Sequence, residues 1–136
     1  MAAEYDSAAE ALLQAVRLKP DSTAAWFLLG EACECAVRLQ PAIETAFGSY
    51  LKSALRDARA YYYYGAILYQ REQASGRSKY QQATLNLNQA FRLNTKFAQP
   101  YFELGLIAMA EGKTEQSILA LQKAVRSGAL PEPARF

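Results

Sequence analysis

The most informative run in this chain is YYYYGAIL, residues 61–68, in which a glycine follows an aromatic side chain by four residues. The same spacing occurs at Trp26 and Gly30 and again at Tyr101 and Gly105. A glycine inside a helix costs about 1 kcal/mol relative to alanine. Three glycines in the same register therefore predict three helices, each of which a neighbouring helix approaches closely at the glycine.

The composition favours one helical, globular domain. The chain has 136 residues, of which 51% are apolar, and this length is enough for a single domain with a substantial core. Leu, Ala, Gln, Glu and Arg outnumber the β-branched residues, which favours helix over strand. The net charge of +2 does not by itself indicate nucleic acid, although residues 1–47 carry −4 and residues 48–136 carry +6.

Several function classes lack the residues that they need. No run of about 18 apolar residues is present to span a membrane, and the first residues lack the basic and apolar regions of a signal peptide, so we expect a cytoplasmic protein. The chain has no histidine and no glycine-rich phosphate loop, so we expect no enzyme activity, no cofactor and no metal site. Cys33 and Cys35 point to different sides of a predicted helix, and we interpret them as packing residues.

Seven segments with apolar residues at helical spacing predict seven helices with short connections. The predicted helices cover residues 5–18, 23–38, 41–56, 58–74, 79–93, 99–111 and 114–127. Asp21 or Ser22 is expected to cap the second helix, and Asp57 the fourth. Pro41 suits the first turn of the third helix, and Gly76 suits a left-handed residue after the fourth.

A second pattern follows each helix that carries an aromatic residue and a glycine. In the next helix a first residue, small except for Phe47, is followed by a large apolar residue four positions on and a small residue three further on. These triples are Phe47/Leu51/Ala54 (or, in an alternative register, Ala46/Tyr50/Ser53), Ala83/Leu87/Ala90 and Ser117/Leu121/Ala124. The opening helix has Ala8/Leu12/Ala15, followed by Leu18, and no aromatic–glycine helix precedes it in this chain.

The two patterns together resemble the tetratricopeptide repeat over residues 5–127. The resemblance implies an all-α fold, a right-handed superhelical stack of antiparallel helix hairpins (an α-solenoid) with about seven helices. From the glycine to the last alanine the family spacing is 19 residues, as in Gly105 to Ala124, whereas the earlier repeats span 24 and 25. We expect these two repeats to have helices about one turn longer, without extra loops.

The repeat pattern divides the single domain, residues 1–136, into consecutive units. We assign residues 1–22 to a half repeat, residues 23–56, 57–96 and 97–128 to full repeats, and residues 129–136 to a tail. Because the opening helix has the signature of a second helix, we expect the chain to be a fragment or the end of a longer array.

The resemblance implies that a ligand binds on the concave face, which the first helices of the hairpins form. The implied ligand-binding residues are Phe27, Glu31, Arg59, Tyr62, Tyr69, Gln99, Phe102 and Met109. Phe27, Tyr62 and Phe102 each follow a packing aromatic by one residue, so we expect them to form one apolar strip. The alternative is that neighbouring helices cover these three side chains. Of the four tyrosines, Tyr61 and Tyr64 are expected to pack in the core.

The function implied by the resemblance is that of a non-enzymatic protein-interaction scaffold, which binds a partner peptide or helix in a mainly apolar groove. Some members of this family clamp a C-terminal carboxylate with basic residues; only Arg59 is basic here, which disfavours that mode. The first alternative is an assembly module that forms a homo-oligomer through the exposed ends of the stack. A second alternative is an RNA-binding helical repeat. It is the weaker of the two, because the tyrosines lack interleaved basic residues. We expect no membrane partner.

Overall fold

A computed structural model of the chain describes residues 2–54, 56–76, 80–94, 96 and 99–126. The helices are α1 (Ala2–Leu18), α2 (Thr23–Ala32), a short 3₁₀ helix (Val37–Leu39), α3 (Gln40–Leu51), α4 (Ala58–Ala74), α5 (Gln81–Leu93), α6 (Gln99–Ala110) and α7 (Thr114–Arg126). These ranges contain no β-strand, so the predicted all-α fold with seven α-helices is confirmed.

Local signals start and stop several helices as expected. The Ser22 hydroxyl accepts a hydrogen bond from the Ala25 N–H at 3.4 Å, which caps α2. The Asp57 carboxylate accepts one from the Ala60 N–H at 3.1 Å, which caps α4. Pro41 lies in the first turn of α3, and Gly76 has a φ of 74° just after α4. A residue with a side chain would be strained at this φ.

The helices stack as hairpins whose first members are neighbours. α4 packs on α5 and α6 packs on α7, while α2, α4 and α6 contact one another in succession. One group of buried apolar residues joins α1, α2, α3 and α4, and a second joins α4, α5 and α6. Because α2, α4 and α6 are adjacent, side chains on their shared face lie along one continuous surface.

Two of the three glycines lie in close contact with the partner helix of their own hairpin. A Cβ on Gly65 would lie 2.8 Å from Cγ of Leu87 and 3.2 Å from the carbonyl oxygen of Ala83, both on α5. A Cβ on Gly105 would lie 2.8 Å from Leu121 on α7. Gly30 is different, because the ring of Tyr63 on α4 occupies the space beside it. The predicted close approach is therefore present at all three positions, with a different partner at Gly30.

The predicted second-helix triples are buried where the hairpins close. Ala83, Leu87 and Ala90 are completely buried on α5, and Ser117 and Ala124 are buried on α7. The Ser117 hydroxyl also donates a hydrogen bond to the Gly105 carbonyl at 3.0 Å. On α3 the structure favours the first register, since Phe47 and Leu51 are buried whereas Ala46 and Tyr50 are half-buried. Ala54 lies beyond the end of this helix.

The predicted helix over residues 23–38 is wrong in its second half. α2 ends at Ala32, and residues 33–36 form a turn before the 3₁₀ helix Val37–Leu39. The extra residues of the first full repeat therefore lie between its helices and not in a longer helix. α3 also ends earlier than predicted, at Leu51. The expectation of a longer helix is right for the second full repeat, where α4 has 17 residues and α6 has 12.

Two predictions about buried faces are also wrong. On α1 the residues packed inward are Ala9, Leu13 and Val16. The predicted stripe is one position away, since Ala8 is exposed, Leu12 and Ala15 are half-buried, and Leu18 is 78% exposed. On α4 the buried tyrosine is Tyr63, while Tyr61 and Tyr64 are only half-buried. In both helices the tertiary contacts selected the residue next to the one that the spacing indicated.

Candidate functional site

The predicted ligand-binding residues lie on α2, α4 and α6, the three helices that are neighbours in the stack. Phe27, Tyr62 and Phe102 are all half-buried, so neither the core nor the described neighbours cover them completely. We call the predicted ligand-binding surface on α2, α4 and α6 that contains these three side chains the groove.

The junction of α2 and α4 brings four aromatic or charged side chains together. The Arg59 guanidinium lies over the Phe27 ring, 4.7 Å from its centroid. The rings of Phe27 and Tyr63 are 6.4 Å apart in a tilted arrangement. The Tyr63 hydroxyl donates a 2.6 Å hydrogen bond to Glu31 Oε1. Glu31 is therefore held in place by a buried tyrosine, although its own side chain is exposed.

Tyr62 extends this aromatic group along α4. Its ring is 5.3 Å from that of Tyr63, and its side chain packs partly against both buried clusters. Burial raises the pKa of Tyr62 above its ordinary value, and the nearby Glu103 carboxyl raises it further. Tyr62 is therefore a neutral phenol at physiological pH and contributes an aromatic face with a polar tip.

Glu103 is a component of the groove that the sequence analysis missed. It is half-buried on α6, and burial raises the pKa of its carboxyl to about 7, with a further contribution from Glu34 in the turn after α2. The interactions of Glu103 with Glu34 and with the phenols of Tyr62 and Tyr69 place it on the face where α2, α4 and α6 meet. The signal in the sequence was present, because Glu103 is the only charged residue of α6.

A short chain of amides positions Glu34. Gln70 Nε2 on α4 donates to Glu34 Oε1 at 3.5 Å, and Gln40 Nε2 donates to Gln70 Oε1 at 3.4 Å. Gln40 Nε2 also donates to the Cys33 carbonyl at 3.0 Å. The turn after α2 is thereby joined to α4, and Glu31, Glu34 and Glu103 make this part of the groove acidic. The groove was predicted to be mainly apolar with Glu31 in it, and the structure adds Glu34 and Glu103.

The remaining predicted residues are more dispersed. Tyr69 packs edge-on against Tyr80 just before α5, with ring centroids 5.0 Å apart, and is half-buried. Gln99 and Met109 are exposed at opposite ends of α6. Contacts therefore connect Phe27, Arg59, Glu31 and Tyr62 through Tyr63, whereas Gln99 and Met109 lie towards the ends of the α6 surface.

The structure also contains a concavity that was not predicted from the sequence. It is a cleft of about 660 Å³ between the end of α1, the start of α2 and the length of α3. Trp26 lies in its wall, stacked on Tyr50 at 4.2 Å and bonded through its indole N–H to the Pro20 carbonyl at 2.9 Å. The side chains that α3 contributes are mostly small: Ala42, Thr45, Ala46 and Ser49.

Neither metal chemistry nor membrane insertion finds support in the residues that the structure describes. No group of three or more potential metal ligands is present among them. None of their helices is long and apolar enough to cross a membrane. Burial raises the pKa of the Cys33 thiol to about 12, with Glu34 and Glu44 adding to the effect, so this thiol stays protonated and unreactive.

Comparisons with known proteins agree with this architecture. Residues 2–47 match the sequence model of the tetratricopeptide repeat, so the resemblance inferred from the sequence is confirmed over those residues. The described chain has the fold of tetratricopeptide-type helical repeat proteins. It is similar to a crystal structure of MamA, with a TM-score of 0.69 and 22% identity over 92% of this chain and 69% of that chain.

A second similar structure is MamA from residue 41 to its end, from Desulfovibrio magneticus RS-1. The TM-score is 0.70, with 16% identity over 93% of this chain and 68% of that chain. At these identities the likeness establishes the fold alone. The search among curated proteins found no significant match.

Proposed function

We propose that this chain is a non-enzymatic protein-interaction scaffold whose groove binds a segment of a partner protein. The observation that carries this proposal is the row of half-buried aromatic side chains on adjacent first helices, with Phe27, Tyr62 and Phe102 at their centre. Aromatic side chains that keep part of their surface exposed in a concavity are common anchors for a bound peptide. No catalytic arrangement accompanies them in the described residues.

The charge of the groove selects the chemistry of the partner. Glu31, Glu34 and Glu103 supply carboxyl groups near the aromatic residues, and the Glu34 carboxylate adds to the effect of burial in raising the pKa of Glu103. A bound cation near Glu103 would relieve this repulsion, and the faces of Tyr62 and Phe102 can accept a lysine or arginine side chain. The favoured ligand is therefore an extended or helical segment that combines basic and apolar residues.

The position of Arg59 gives the ligand a direction. Its guanidinium already lies over the face of the Phe27 ring, so it would repel a second cation at that end of the groove. The basic residue of the partner then lies towards Glu34 and Glu103, and an apolar residue lies near Phe27. The same carboxylates disfavour the phosphates of a nucleic acid and the terminal carboxylate of a clamped peptide.

The test is a selection of binders from a random peptide display library on the wild-type protein, followed by affinity measurements on single peptides. Enriched peptides should carry lysine or arginine beside aromatic or aliphatic residues. Tyr62→Ala and Phe102→Ala should each weaken binding about 10-fold or more, as for other aromatic anchors. Tyr5→Ala, which truncates an exposed tyrosine on α1, is the matched control and should leave affinity unchanged.

The carboxylate is tested separately. Glu103→Gln should weaken lysine-containing peptides, with Glu4→Gln on the exposed start of α1 as the control. Because the ionised form of Glu103 binds a cation better, affinity should rise from about pH 6 to about pH 8 in the wild type and less in the variant. Enrichment of acidic peptides, or binders that tolerate both Tyr62→Ala and Phe102→Ala, would show that the groove is not the binding surface.

A further inference from the structure

The last described helix, α7, has one face packed and another face uncovered. Ser117 and Ala124 are buried against α6, and the Leu121 side chain contacts Gly105. Ile118 and Val125 are 50% and 44% exposed. Since they are seven residues apart, they lie on one side of the helix, about 10 Å from each other along its axis.

The equivalent face of α5 is covered. Leu87 on α5 contacts Gly65 in the same way that Leu121 on α7 contacts Gly105. Four residues further on, Phe91 of α5 packs against Tyr101 of the following helix α6, with ring centroids 4.6 Å apart. Val125 holds the position on α7 that Phe91 holds on α5. Among the described residues, no further helix follows α7 to cover it.

We propose that this face of α7 pairs with α7 of a second copy of the chain, in an antiparallel, two-fold symmetric arrangement. In this arrangement Ile118 of each copy meets Val125 of the other, so each contact forms twice. An antiparallel two-fold pair also places the same flank of both helices side by side. Each copy then presents the same surface of α7 to the other, so that surface has to be complementary to itself.

The charges on that flank support a second copy as the occupant. Glu115 and Arg126 are both exposed and lie on the same side of the Ile118–Val125 stripe, about 60° and 80° around the helix from Ile118. When Ile118 faces the partner's Val125, Glu115 comes within about two residues, or 3 Å along the axis, of the partner's Arg126. Two ion pairs, each between Glu115 of one copy and Arg126 of the other, would then flank the apolar contact.

The expected dimer is weak, because a single pair of helices buries less surface than a standard stable interface. Sedimentation velocity or light scattering during size-exclusion chromatography, over about 10–200 µM protein, should show a concentration-dependent dimer. Ile118→Glu and Val125→Glu should each weaken it about 10-fold or more. Leu85→Glu is the matched control, since Leu85 is 69% exposed on α5, and it should leave the dimer unchanged. Thermal unfolding confirms that all variants fold.

A charge exchange identifies the arrangement. Glu115→Lys and Arg126→Glu should each weaken the dimer a few-fold, and the double variant should restore it, because both ion pairs are then reversed together. Three results would overturn the proposal: a wild-type protein that remains monomeric at 200 µM, a dimer that tolerates Ile118→Glu and Val125→Glu, or a double variant no tighter than the single ones. A fourth result would also overturn it: a dimer that Tyr62→Ala weakens and that Ile118→Glu and Val125→Glu leave unchanged would place self-association in the groove.

Discussion

The first full hairpin, α2 and α3, and the second, α4 and α5, begin with the same arrangement of residues and end in different structures. Gly65 receives Leu87 from its own partner helix, and the hairpin closes. Gly30 receives the ring of Tyr63, which comes from the next hairpin. A packing glycine therefore specifies that a large side chain approaches, but it does not specify which helix supplies that side chain.

The consequences of this difference extend across the first hairpin. Tyr63, and not a side chain of α3, occupies the space beside Gly30, and a cleft lies between Trp26 and α3. The turn after Ala32 and the 3₁₀ helix Val37–Leu39 supply the extra length of chain. The same tyrosine donates a hydrogen bond to Glu31 and contacts Phe27, so the side chain beside Gly30 also links two of the predicted ligand-binding residues.

The largest expected effect comes from removing the side chain that distinguishes the two hairpins. Tyr63→Ala should lower the free energy of unfolding by about 3–5 kcal/mol, because it empties a buried site and leaves Glu31 without its hydrogen bond. Urea unfolding measures the loss. Tyr61→Ala, at the neighbouring position that the sequence favoured for core packing, should cost less. An equal or larger loss at Tyr61 would contradict the assignment of Tyr63 as the packing residue.

Substitutions of Gly65 and Gly48 by alanine compare a tightly packed helix contact with a loosely packed one. Gly65→Ala and Gly48→Ala both introduce a methyl group inside a helix and both gain about 1 kcal/mol of helix propensity. At Gly65 the new carbon meets Leu87 and a backbone carbonyl, and such overpacking costs about 1–3 kcal/mol.

At Gly48 the nearest atom is the Tyr64 hydroxyl oxygen, 3.2 Å away at the far end of a side chain that can shift. Thermal unfolding should therefore show a loss or no gain of stability for Gly65→Ala and a gain for Gly48→Ala. Equal gains for the two variants would mean that Gly65 is not at a close helix contact.

The acidic groove gives a pH dependence with a defined sign. Burial raises the pKa of Glu103 to about 7 in the folded protein, above its ordinary value of 4.5. The folded state therefore binds this proton more tightly than the unfolded state does. The contribution of Glu103 to stability is fully present below about pH 4.5 and is lost as pH rises through about 7. A tenfold change in proton affinity corresponds to about 1.36 kcal/mol, so the loss of stability is on the order of 1–3 kcal/mol.

Unfolding free energies at about pH 5 and pH 8 test this contribution. Glu103→Gln should remove most of the difference, and Glu34→Gln should lower the pKa of Glu103 by relieving repulsion. Titration of the Glu103 carboxyl by nuclear magnetic resonance measures that pKa directly. A pKa near 4.5 in the wild type would show that the carboxyl is not desolvated in the groove.

The smallest expected effect concerns the turn that ends α2. Gln40→Ala removes the hydrogen bond to the Cys33 carbonyl and the link to Gln70, at a cost of about 1 kcal/mol. Amide hydrogen exchange should accelerate in residues 33–36 more than in α5. Gln82→Ala, at an exposed glutamine of α5, is the control. Unchanged exchange in the turn would mean that Gln40 does not hold it.

The positions of three candidate side chains follow from counting along a helix. Phe27, Tyr62 and Phe102 were placed on adjacent helices by counting from the packing aromatics, and all three are half-buried in the structure. The count missed Glu103, although it is adjacent to Phe102. Its role depends on Glu34 and on the burial that α2 and α4 impose, and residues 69 positions apart in the chain leave no local pattern.

The sequence by itself determined the features that short-range physics controls. Ser22 and Asp57 start helices because their side chains bond to backbone amides three residues on, and Gly76 follows α4 because its φ is unfavourable for other residues. The triple Ala83, Leu87 and Ala90 faces the core because its spacing matches one side of a helix.

Only the tertiary structure decided which of several competent side chains fills each contact. Four successive tyrosines point to all sides of α4, so local sequence cannot distinguish Tyr63 from its neighbours. The choice falls on Tyr63 because Gly30, 33 residues earlier, leaves space for its ring, while Glu31 accepts a hydrogen bond from its hydroxyl. The hydrogen bond from Gln70 to the turn after α2 and the effect of Glu34 on Glu103 likewise depend on long-range contacts, whose energies depend on the packed arrangement of the helices.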